Sequence, residues 1–232
     1  TGGSSQGIGF DNFSLTATTA PSAIPNIELS SPAASASNLT EGVTNQVLSR
    51  FDLAVTTANA TLTGVTINTS GTYVASDLSN LKCWYSADNS FSSSTDALLS
   101  TKSSSLGSGS HVFPGFTNQI IASGNTGYIF ITADVPFGST VGNAISVSAV
   151  DTGNLTFSSG TKSGSTNASG TKTIVACTPT NATSLVLTAG SNQLAVSWAN
   201  PTCMEEVMIV AKPTSTIGAS PSGDGSSYSA NL

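Results

Sequence analysis

The stretch Val-Leu-Ser-Arg-Phe-Asp-Leu-Ala-Val-Thr at residues 47–56 alternates between apolar and polar side chains. Because successive residues of a β-strand point to opposite faces, this pattern predicts a strand with one buried and one wet face, as in an antiparallel sheet. Residues 143–151 carry the same pattern. The predicted inward sets are Ser49, Phe51, Leu53 and Val55 in the first stretch and Ile145, Val147 and Ala149 in the second, with Arg50 and Asp52 pointing outward.

Composition extends this prediction to the whole chain. Of 232 residues only 8% are charged and 38% are hydrophobic, while 41 Ser and 32 Thr make up nearly a third. The hydrophobic fraction is enough for a buried core, Thr and Val favour pleated sheets, and no stretch keeps a helical apolar period for three turns. We therefore predict an all-β protein with essentially no helix.

Changes in composition divide the chain into parts. Residues 1–19 form an N-terminal strand segment, interpreted as the end of a preceding jelly-roll-like domain or as a donor strand, and residues 20–25 form a Pro/Ala/Ser linker. Residues 26–176 have the length of one antiparallel Ig-like β-sandwich. Gly64 interrupts the alternation of its second strand, which predicts a β-bulge. The clearest strands are predicted at residues 47–56, 62–69, 81–86, 118–122, 127–135, 143–151 and 171–176.

The remaining residues, 177–232, are interpreted as the start of a fibronectin type III-like sandwich. Strands are predicted at 184–189, 193–200 and 205–212, and the second carries Trp198 in an alternating run. Since a seven-strand sandwich needs roughly 100 residues, we expect this domain to be incomplete, with open strand edges that invite a partner strand.

Charge argues against nucleic acid as a partner. The net charge is −6 and the six basic residues are scattered singly, so there is no basic patch for phosphates. The longest apolar runs, such as 128–131 and 207–211, are far shorter than the roughly 20 residues that span a bilayer, so no membrane insertion is expected. Few charges, many hydroxyl side chains and three cysteines favour a secreted or cell-surface location.

Two of the three cysteines are predicted to form a disulfide. Cys177 precedes the first strand of the last domain, and Cys203 lies in the loop after its second strand, so both fall at one end of the sandwich. Cys83 alternates inward in its strand and is interpreted as a buried thiol. The sequence contains no Cys-x-x-Cys pair and no Cys/His cluster that would indicate a zinc site. We expect neither a metal nor another cofactor.

No catalytic constellation emerges from the sequence, so we do not expect an enzyme. The single histidine, His111, lies in a Gly/Ser-rich stretch that is expected to be flexible, and no Gly-x-Ser-x-Gly motif occurs. Glu205 and Glu206 are neighbours, so they would point to opposite faces of a strand and could not act on one sugar. One polar loop is interpreted as a hairpin turn, with calcium binding as the less favoured alternative, through Asp88, Asn89 and Asp96.

Several segments resemble known families. Residues 177–232, especially Leu-Ala-Val-Ser-Trp at 194–198 and Glu-Val-Met-Ile-Val-Ala-Lys at 206–212, resemble the opening half of fibronectin type III-like modules in large secreted surface proteins of Bacteroidetes-type bacteria. The central stretch, from Arg-Phe-Asp-Leu at 50–53 through Trp-Tyr-Ser at 84–86 to Ile-Thr-Ala-Asp-Val at 131–135, resembles β-sandwich repeats that accompany them. More weakly, it is similar to the non-catalytic N-terminal sandwich of bacterial sialidases. Residues 7–16 look like the last strand of a jelly-roll lectin-like domain.

Such proteins are exported to the cell surface as adhesins or as spacers beside polysaccharide-degrading domains. The resemblance therefore implies a structural or adhesive module of an extracellular cell-surface protein or filament, and it carries over no active-site residue. The alternative is a non-catalytic carbohydrate-binding accessory region of a secreted polysaccharide-degrading enzyme. Against it, aromatic residues are only 6% of the chain.

The aromatic residues offer few platforms for a sugar. Trp84 and Tyr85 are neighbours in one predicted strand, so they point to opposite faces and at most one of them can be exposed. Phe113 and Phe116 could form a small exposed patch, although capping the core is the commoner fate of such residues.

The two ends of the chain suggest a mode of assembly. Residues 8–17 alternate like a strand and have no hairpin partner before the linker, while the last domain lacks strands to cover its apolar side chains. Addition of this donor strand to the next subunit would give a head-to-tail polymer of identical subunits. The competing interpretation is a fragment whose own neighbouring domains supply both missing parts. The donor side chains would be Ile8, Phe10, Phe13 and Leu15.

Glycosylation is a further expectation from the sequence. Asn-x-Ser/Thr triplets are acceptors for N-linked sugar, although a chain so rich in Asn, Ser and Thr also produces them by chance. O-linked sugar on the many hydroxyl groups is favoured for that reason. The seven triplets begin at Asn12, Asn38, Asn59, Asn68, Asn154, Asn167 and Asn181.

Overall fold

The computed structural model describes residues 1–3, 22–178, 183–191, 193–199 and 203. Within these ranges the protein consists almost entirely of β-strands, which confirms the all-β prediction, and its helical pieces there are two short 3₁₀ turns at Ala75–Asp77 and Thr152–Asn154. Several predicted features lie outside the described residues. These are the donor strand with Ile8, Phe10, Phe13 and Leu15, the third strand of the last domain at 205–212, and the triplets at Asn12 and Asn181.

Thirteen of the described strands build a two-sheet sandwich, and two more form a separate hairpin. In chain order the sandwich strands are β1 (Asn26–Ser30), β2 (Ser37–Thr40), β3 (Val43–Thr56), β4 (Ala60–Gly71), β5 (Asn80–Ser86), β6 (Ala97–Lys102), β7 (Gly109–Val112), β8 (Gln119–Ile121), β9 (Thr126–Val135), β10 (Ala144–Val147), β11 (Leu155–Phe157), β12 (Thr161–Gly164) and β13 (Lys172–Val175). The hairpin consists of β14 (Thr183–Gly190) and β15 (Gln193–Ala199).

The first sheet has six strands in the order β12-β1-β3-β9-β5-β6. All its neighbours are antiparallel except β1 and β12, which run parallel. The second sheet is organised around the long strand β4, which pairs with β7 and β8 along one edge and with β10 and β11 along the other. Beyond β10 lie β13 and, parallel to it, β2.

The core fills the space between the two sheets. As the alternation predicted, Phe51, Leu53 and Val55 on β3 are buried in it, and so are Ile145 and Val147 on β10. Burial of each such large apolar side chain contributes about 1.5–3 kcal/mol relative to an exposed one. Other large core side chains that are almost completely buried are Ile27, Leu39, Leu48, Leu62, Ile67, Leu81, Leu99, Ile121, Ile129 and Ile131.

Two predicted inward positions are wrong. In β3 the register with β9 shifts between Val47 and Ser49, so Leu48 enters the core while Ser49 is half-buried. A bulge of this kind adds a residue to one strand and reverses the alternation locally. Ala149 is exposed and Val150 is buried instead, because β10 ends at Val147 and the chain bends before the 3₁₀ turn.

The predicted interruption at Gly64 is a register shift in the structure. Thr156 on β11 pairs with Gly64, whereas the next residue, Phe157, pairs with Leu62. The extra residue on β4 lets both Leu62 and Val65 reach the core. The bulge therefore explains why the apolar alternation is interrupted at Gly64 although the strand β4 is continuous.

Candidate functional site

The hairpin of β14 and β15 presents an apolar face at the surface. Leu187 pairs with Val196 across the hairpin, and because side chains alternate, Leu185 and Trp198 lie on the same side. Leu185 is 65% exposed and Leu187 is 59% exposed, while Val196 and Trp198 are half-buried. We call these four residues the hairpin apolar face.

A disulfide ties this hairpin to the end of the first sandwich. The structure joins Cys177, two residues after β13, to Cys203, which follows β15, with their Cα atoms 5.6 Å apart. Cys83 is a free thiol on β5 and is completely buried. Burial without a compensating partner disfavours the thiolate and raises the pKa of Cys83 far above its usual range. Cys83 is therefore an unreactive core residue.

The aromatic residues that could bind a sugar are used for packing. Trp84 and Phe130 lie side by side on the face of the six-stranded sheet that points away from the core, and Phe91 covers them, with ring centroids 5.5 Å from each. Trp84 is 6% exposed, and its indole N–H donates to the Thr132 hydroxyl at 3.0 Å. The loop that carries Phe91 is thus held against the sheet by stacking rather than left open to a ligand.

The other aromatic candidates also pack against the core, although Tyr85 does so only in part and in addition lines a surface groove. Phe113 is buried, and Phe116 and Tyr85 are partly buried against the core. The exposed patch considered for Phe113 and Phe116 is therefore not formed, and the alternative of capping the core is the one observed. Arg50 lies over the Tyr128 ring at 5.4 Å and pairs with Asp52 at 2.9 Å.

Three strands of the six-stranded sheet bring a lysine, an amide and a carboxylate together. Lys82 Nζ lies 2.7 Å from Asp134 Oδ2 and donates to Asn45 Oδ1 at 2.8 Å. Asp134 also accepts from the Asn45 backbone N–H at 2.7 Å and from Asn80 Nδ2 at 2.8 Å. The side chains of Lys82 and Asp134 are 16% and 5% exposed. We call Lys82, Asn45 and Asp134 the Lys82 cluster. No local sequence pattern indicates this cluster, because its members are far apart in the chain.

His111 does not lie in a flexible loop, as the sequence suggested. It belongs to β7, is buried at 1% exposure, and its Nε2 lies 2.8 Å from the hydroxyl of Thr69 on β4. The same hydroxyl contacts the Tyr73 hydroxyl at 2.5 Å. The pKa of His111 is lowered, because burial disfavours the imidazolium and Lys102 repels it, and the backbone of Ser105 offsets this only in part. Pairing with β4 organises this Gly-rich segment.

A groove lies at one end of the sandwich, and its volume is about 410 Å³. Tyr85 and Gln119 contribute to its lining together with Asp88 and Asp96. Both carboxylates cap local turns, because Asp88 accepts from the Ser90 N–H and Asp96 from the Ser92 N–H, each at 2.8 Å. This agrees with the turn interpretation of the loop. In the described part of the chain no group of three or more His, Cys, Asp or Glu side chains is placed to hold a metal ion.

The glycosylation triplets differ in their surroundings. Asn38 on β2 and Asn167 are exposed. Asn68 and the third residue of its triplet, Ser70, are exposed as well, but Asn68 lies within β4, where it pairs with Ser110 of β7. In the two remaining described triplets the asparagine side chain accepts a hydrogen bond. Asn59 Oδ1 accepts from the Ser123 N–H, and Asn154 Oδ1 accepts from the Asp151 N–H.

Comparison with known proteins returns no relative from which a role could be transferred: no protein-family model and no curated protein matches the chain. Over the residues described, no helix is long and apolar enough to span a bilayer.

Proposed function

We propose that this chain is a structural module of an extracellular cell-surface protein or filament, and that its hairpin apolar face receives a β-strand from a neighbouring subunit. The observation that carries the proposal is the exposure of Leu185 and Leu187, at 65% and 59%, on the apolar side of a paired hairpin. Exposed large apolar side chains that lie together on one side of a strand pair are typical of an interaction surface.

Energetics favour a partner for this face. Within the described residues the hairpin has two strands, and such a pair is at best marginally stable unless a third strand or a packed surface is added. Full burial of each exposed leucine would contribute about 1.5–3 kcal/mol. The disulfide between Cys177 and Cys203 keeps the hairpin next to the first sandwich, so the surface is held in place for a partner.

The segment proposed to occupy the face is the N-terminal strand of another copy of the chain. In its sequence, residues 8–17, apolar side chains recur at every second position. Ile8 and Phe10 would share one face of the strand, and Phe13 and Leu15 would share the other. An added strand binds through main-chain hydrogen bonds and inserts alternate side chains into an apolar surface. Because the donor and the acceptor are different surfaces, the contact is head-to-tail and extends into a filament unless the rotation closes a ring.

An extracellular setting is supported by the disulfide and by the composition. Disulfides persist in oxidising compartments, and the structure pairs two of the three cysteines. A surface with few charges and many hydroxyl groups is compatible with this setting.

Deletion of residues 1–19 tests the proposal. Light scattering and electron microscopy should show assembly of the full chain and loss of assembly after the deletion, with the sandwich still folded by circular dichroism. The strand-addition proposal fails if the full and the shortened chain are both monodisperse monomers.

A second candidate function, saccharide binding, is favoured by the groove at Tyr85. Its volume falls in the range of roughly 300–1,000 Å³ that is common for small-molecule sites. One aromatic ring, one amide and two carboxylates can contact a sugar ring and its hydroxyl groups. A glycan array that compares the wild-type chain with Gln119→Ala tests this candidate, and uniform absence of binding by the wild-type chain would reject it.

A further inference from the structure

The Lys82 cluster places an amine and a carboxamide in contact across the central strand of a sheet. Asn45 belongs to β3 and Lys82 to β5, and β9 with Asp134 lies between them. The amine of Lys82 is 2.8 Å from the carbonyl oxygen of the Asn45 side chain and 2.7 Å from the Asp134 carboxylate. A nucleophilic amine therefore lies within hydrogen-bond distance of both an electrophilic carbonyl group and a carboxylate that can carry a proton.

The backbone at Asn45 holds this arrangement in place. Asn45 has φ of 57°, in the left-handed region that non-glycine residues seldom adopt. It lies where the register of β3 and β9 shifts, between Val43 and Gln46, and its backbone N–H donates to Asp134 Oδ1 at 2.7 Å. The bulge thus turns the Asn45 side chain toward Lys82, and the carboxylate of Asp134 fixes both partners.

We propose that Lys82 and Asn45 form an amide cross-link, with Asp134 as the group that transfers the proton. A proton moves from Lys82 Nζ to Asp134 Oδ2, and the freed amine attacks Cγ of Asn45. A second proton passes from Nζ to Nδ2, the bond between Cγ and Nδ2 breaks, and one ammonia leaves. The products are a secondary amide, a protonated Asp134 and ammonia. Atoms and charge balance without an oxidant or another reactant.

Two other lysines show why the Lys82 site differs. Lys162 Nζ donates to the backbone carbonyls of Thr152 and Leu155, both at 2.6 Å. Lys172 Nζ donates to the backbone carbonyl of Ser35 at 2.7 Å. Attack on a backbone carbonyl would cleave the chain, whereas attack on the Asn45 carboxamide releases ammonia and leaves the chain intact. Lys162 therefore provides a matched control.

The cross-link would join β3 to β5 on either side of β9. These are the two strands that are paired with β9 in the six-stranded sheet. A covalent bridge there keeps the strands together when the sheet is unfolded, in the same way that a disulfide restricts the unfolded chain. The inference is independent of the proposed function, since it rests on contacts within the first sandwich.

Mass spectrometry of the intact, reduced full chain tests the proposal. The wild-type chain is expected to be lighter than its sequence by one ammonia, and Lys82→Arg to have its full sequence mass. The Lys82→Arg variant retains a positive charge beside Asp134 but cannot form the amide, so it separates the cross-link from the ion pair. Lys162→Arg should lose ammonia as the wild type does. In Asp134→Asn the cross-link should be absent or greatly slowed.

A peptide map locates the bond, because a succinimide elsewhere would also release ammonia. The expected product is a branched peptide that joins the segments around Asn45 and Lys82. The proposal is overturned if the wild-type chain keeps its full sequence mass after prolonged incubation. It is equally overturned if Lys82→Arg shows the same loss of ammonia as the wild type.

Discussion

The indole N–H of Trp84 donates to the hydroxyl of Thr132 at 3.0 Å, and both side chains are buried on the face of the six-stranded sheet that points away from the core. An aromatic residue that could have been a binding platform is thereby fixed by a hydrogen bond and by an edge-to-face contact with Phe91. At Trp84, Phe130 and Thr132 the face of the sheet that points away from the core is therefore buried as well.

This bond leads to the first prediction. Thr132→Val preserves the shape of the side chain but leaves a buried indole N–H without its acceptor, which should lower the free energy of unfolding by about 1–3 kcal/mol. Urea unfolding followed by tryptophan fluorescence measures the change. The exposed Thr156→Val is the control and should alter stability by less than about 0.5 kcal/mol. Equal effects of the two substitutions would show that the bond to Trp84 contributes nothing.

The cysteines give a second prediction. Alkylation of the unfolded chain without reductant should modify one cysteine, Cys83, because Cys177 and Cys203 are paired. Alkylation of the native chain should modify none, since burial raises the pKa of the Cys83 thiol and blocks access. Three modified cysteines in the unfolded chain would disprove the pairing.

Reduction of the disulfide should destabilise the hairpin selectively. The bridge closes a loop over a sequence separation of 26 residues, for which loop-closure entropy predicts about 3.5 kcal/mol. Hydrogen exchange should show faster exchange of amides in β14 and β15 after reduction, while exchange in β3 and β9 stays unchanged. Uniform acceleration across both regions would contradict this separation.

A fourth prediction concerns acid. The pKa of His111 in the folded chain is lowered from its ordinary value of 6.5, chiefly by burial. The unfolded chain then binds the proton more readily, so stability is fully present above the unfolded value and is lost as the pH falls toward the folded one. One proton gives a slope of at most about 1.4 kcal/mol per pH unit.

Substitution of His111 checks this assignment. His111→Gln can still bond to Thr69 but does not titrate, so its free energy of unfolding should change less than that of the wild type between about pH 7 and about pH 5. Identical pH profiles for the two chains would exclude His111 as the titrating group.

A further prediction ranks the glycosylation triplets by their position in the sheets. Asn38 lies on β2 at the end of its sheet and Asn167 lies between β12 and β13, whereas Asn68 lies within β4, which is paired along both edges. Glycopeptide mass spectrometry of natively produced protein should therefore find N-linked sugar at Asn38 or Asn167 before Asn68. Occupancy confined to Asn68 would contradict the ranking, and bare peptides throughout would reject glycosylation altogether.

The alternation of side chains was sufficient to predict much of the sandwich. Phe51, Leu53 and Val55 were placed correctly because one face of β3 packs against the core along this stretch. Ala149 was misplaced because nothing in its local pattern marks the end of β10 at Val147. His111 was misassigned because the glycines around it conceal a strand whose order comes from pairing with β4.

The Lys82 cluster shows the limit of sequence reasoning more clearly. Asn45, Lys82 and Asp134 come from three strands that meet only through the pairing order of the sheet. The Asn45 side chain reaches Lys82 because β3 has a bulge at this position and Asn45 adopts a left-handed backbone conformation. The local sequence predicts neither feature. Such a site depends on long-range register, which single-strand patterns do not encode.

The most direct test of the proposed function compares two neighbouring residues of β14 by sedimentation velocity over a range of concentrations. Leu187 lies on the hairpin apolar face, whereas Thr188 is exposed on the opposite face and pairs with Ala195. We predict that the wild-type chain and Thr188→Asp assemble with increasing concentration and that Leu187→Asp remains a monomer with an intact first sandwich. A wild-type chain that stays monomeric at every concentration, or a Leu187→Asp chain that assembles equally well, would contradict it.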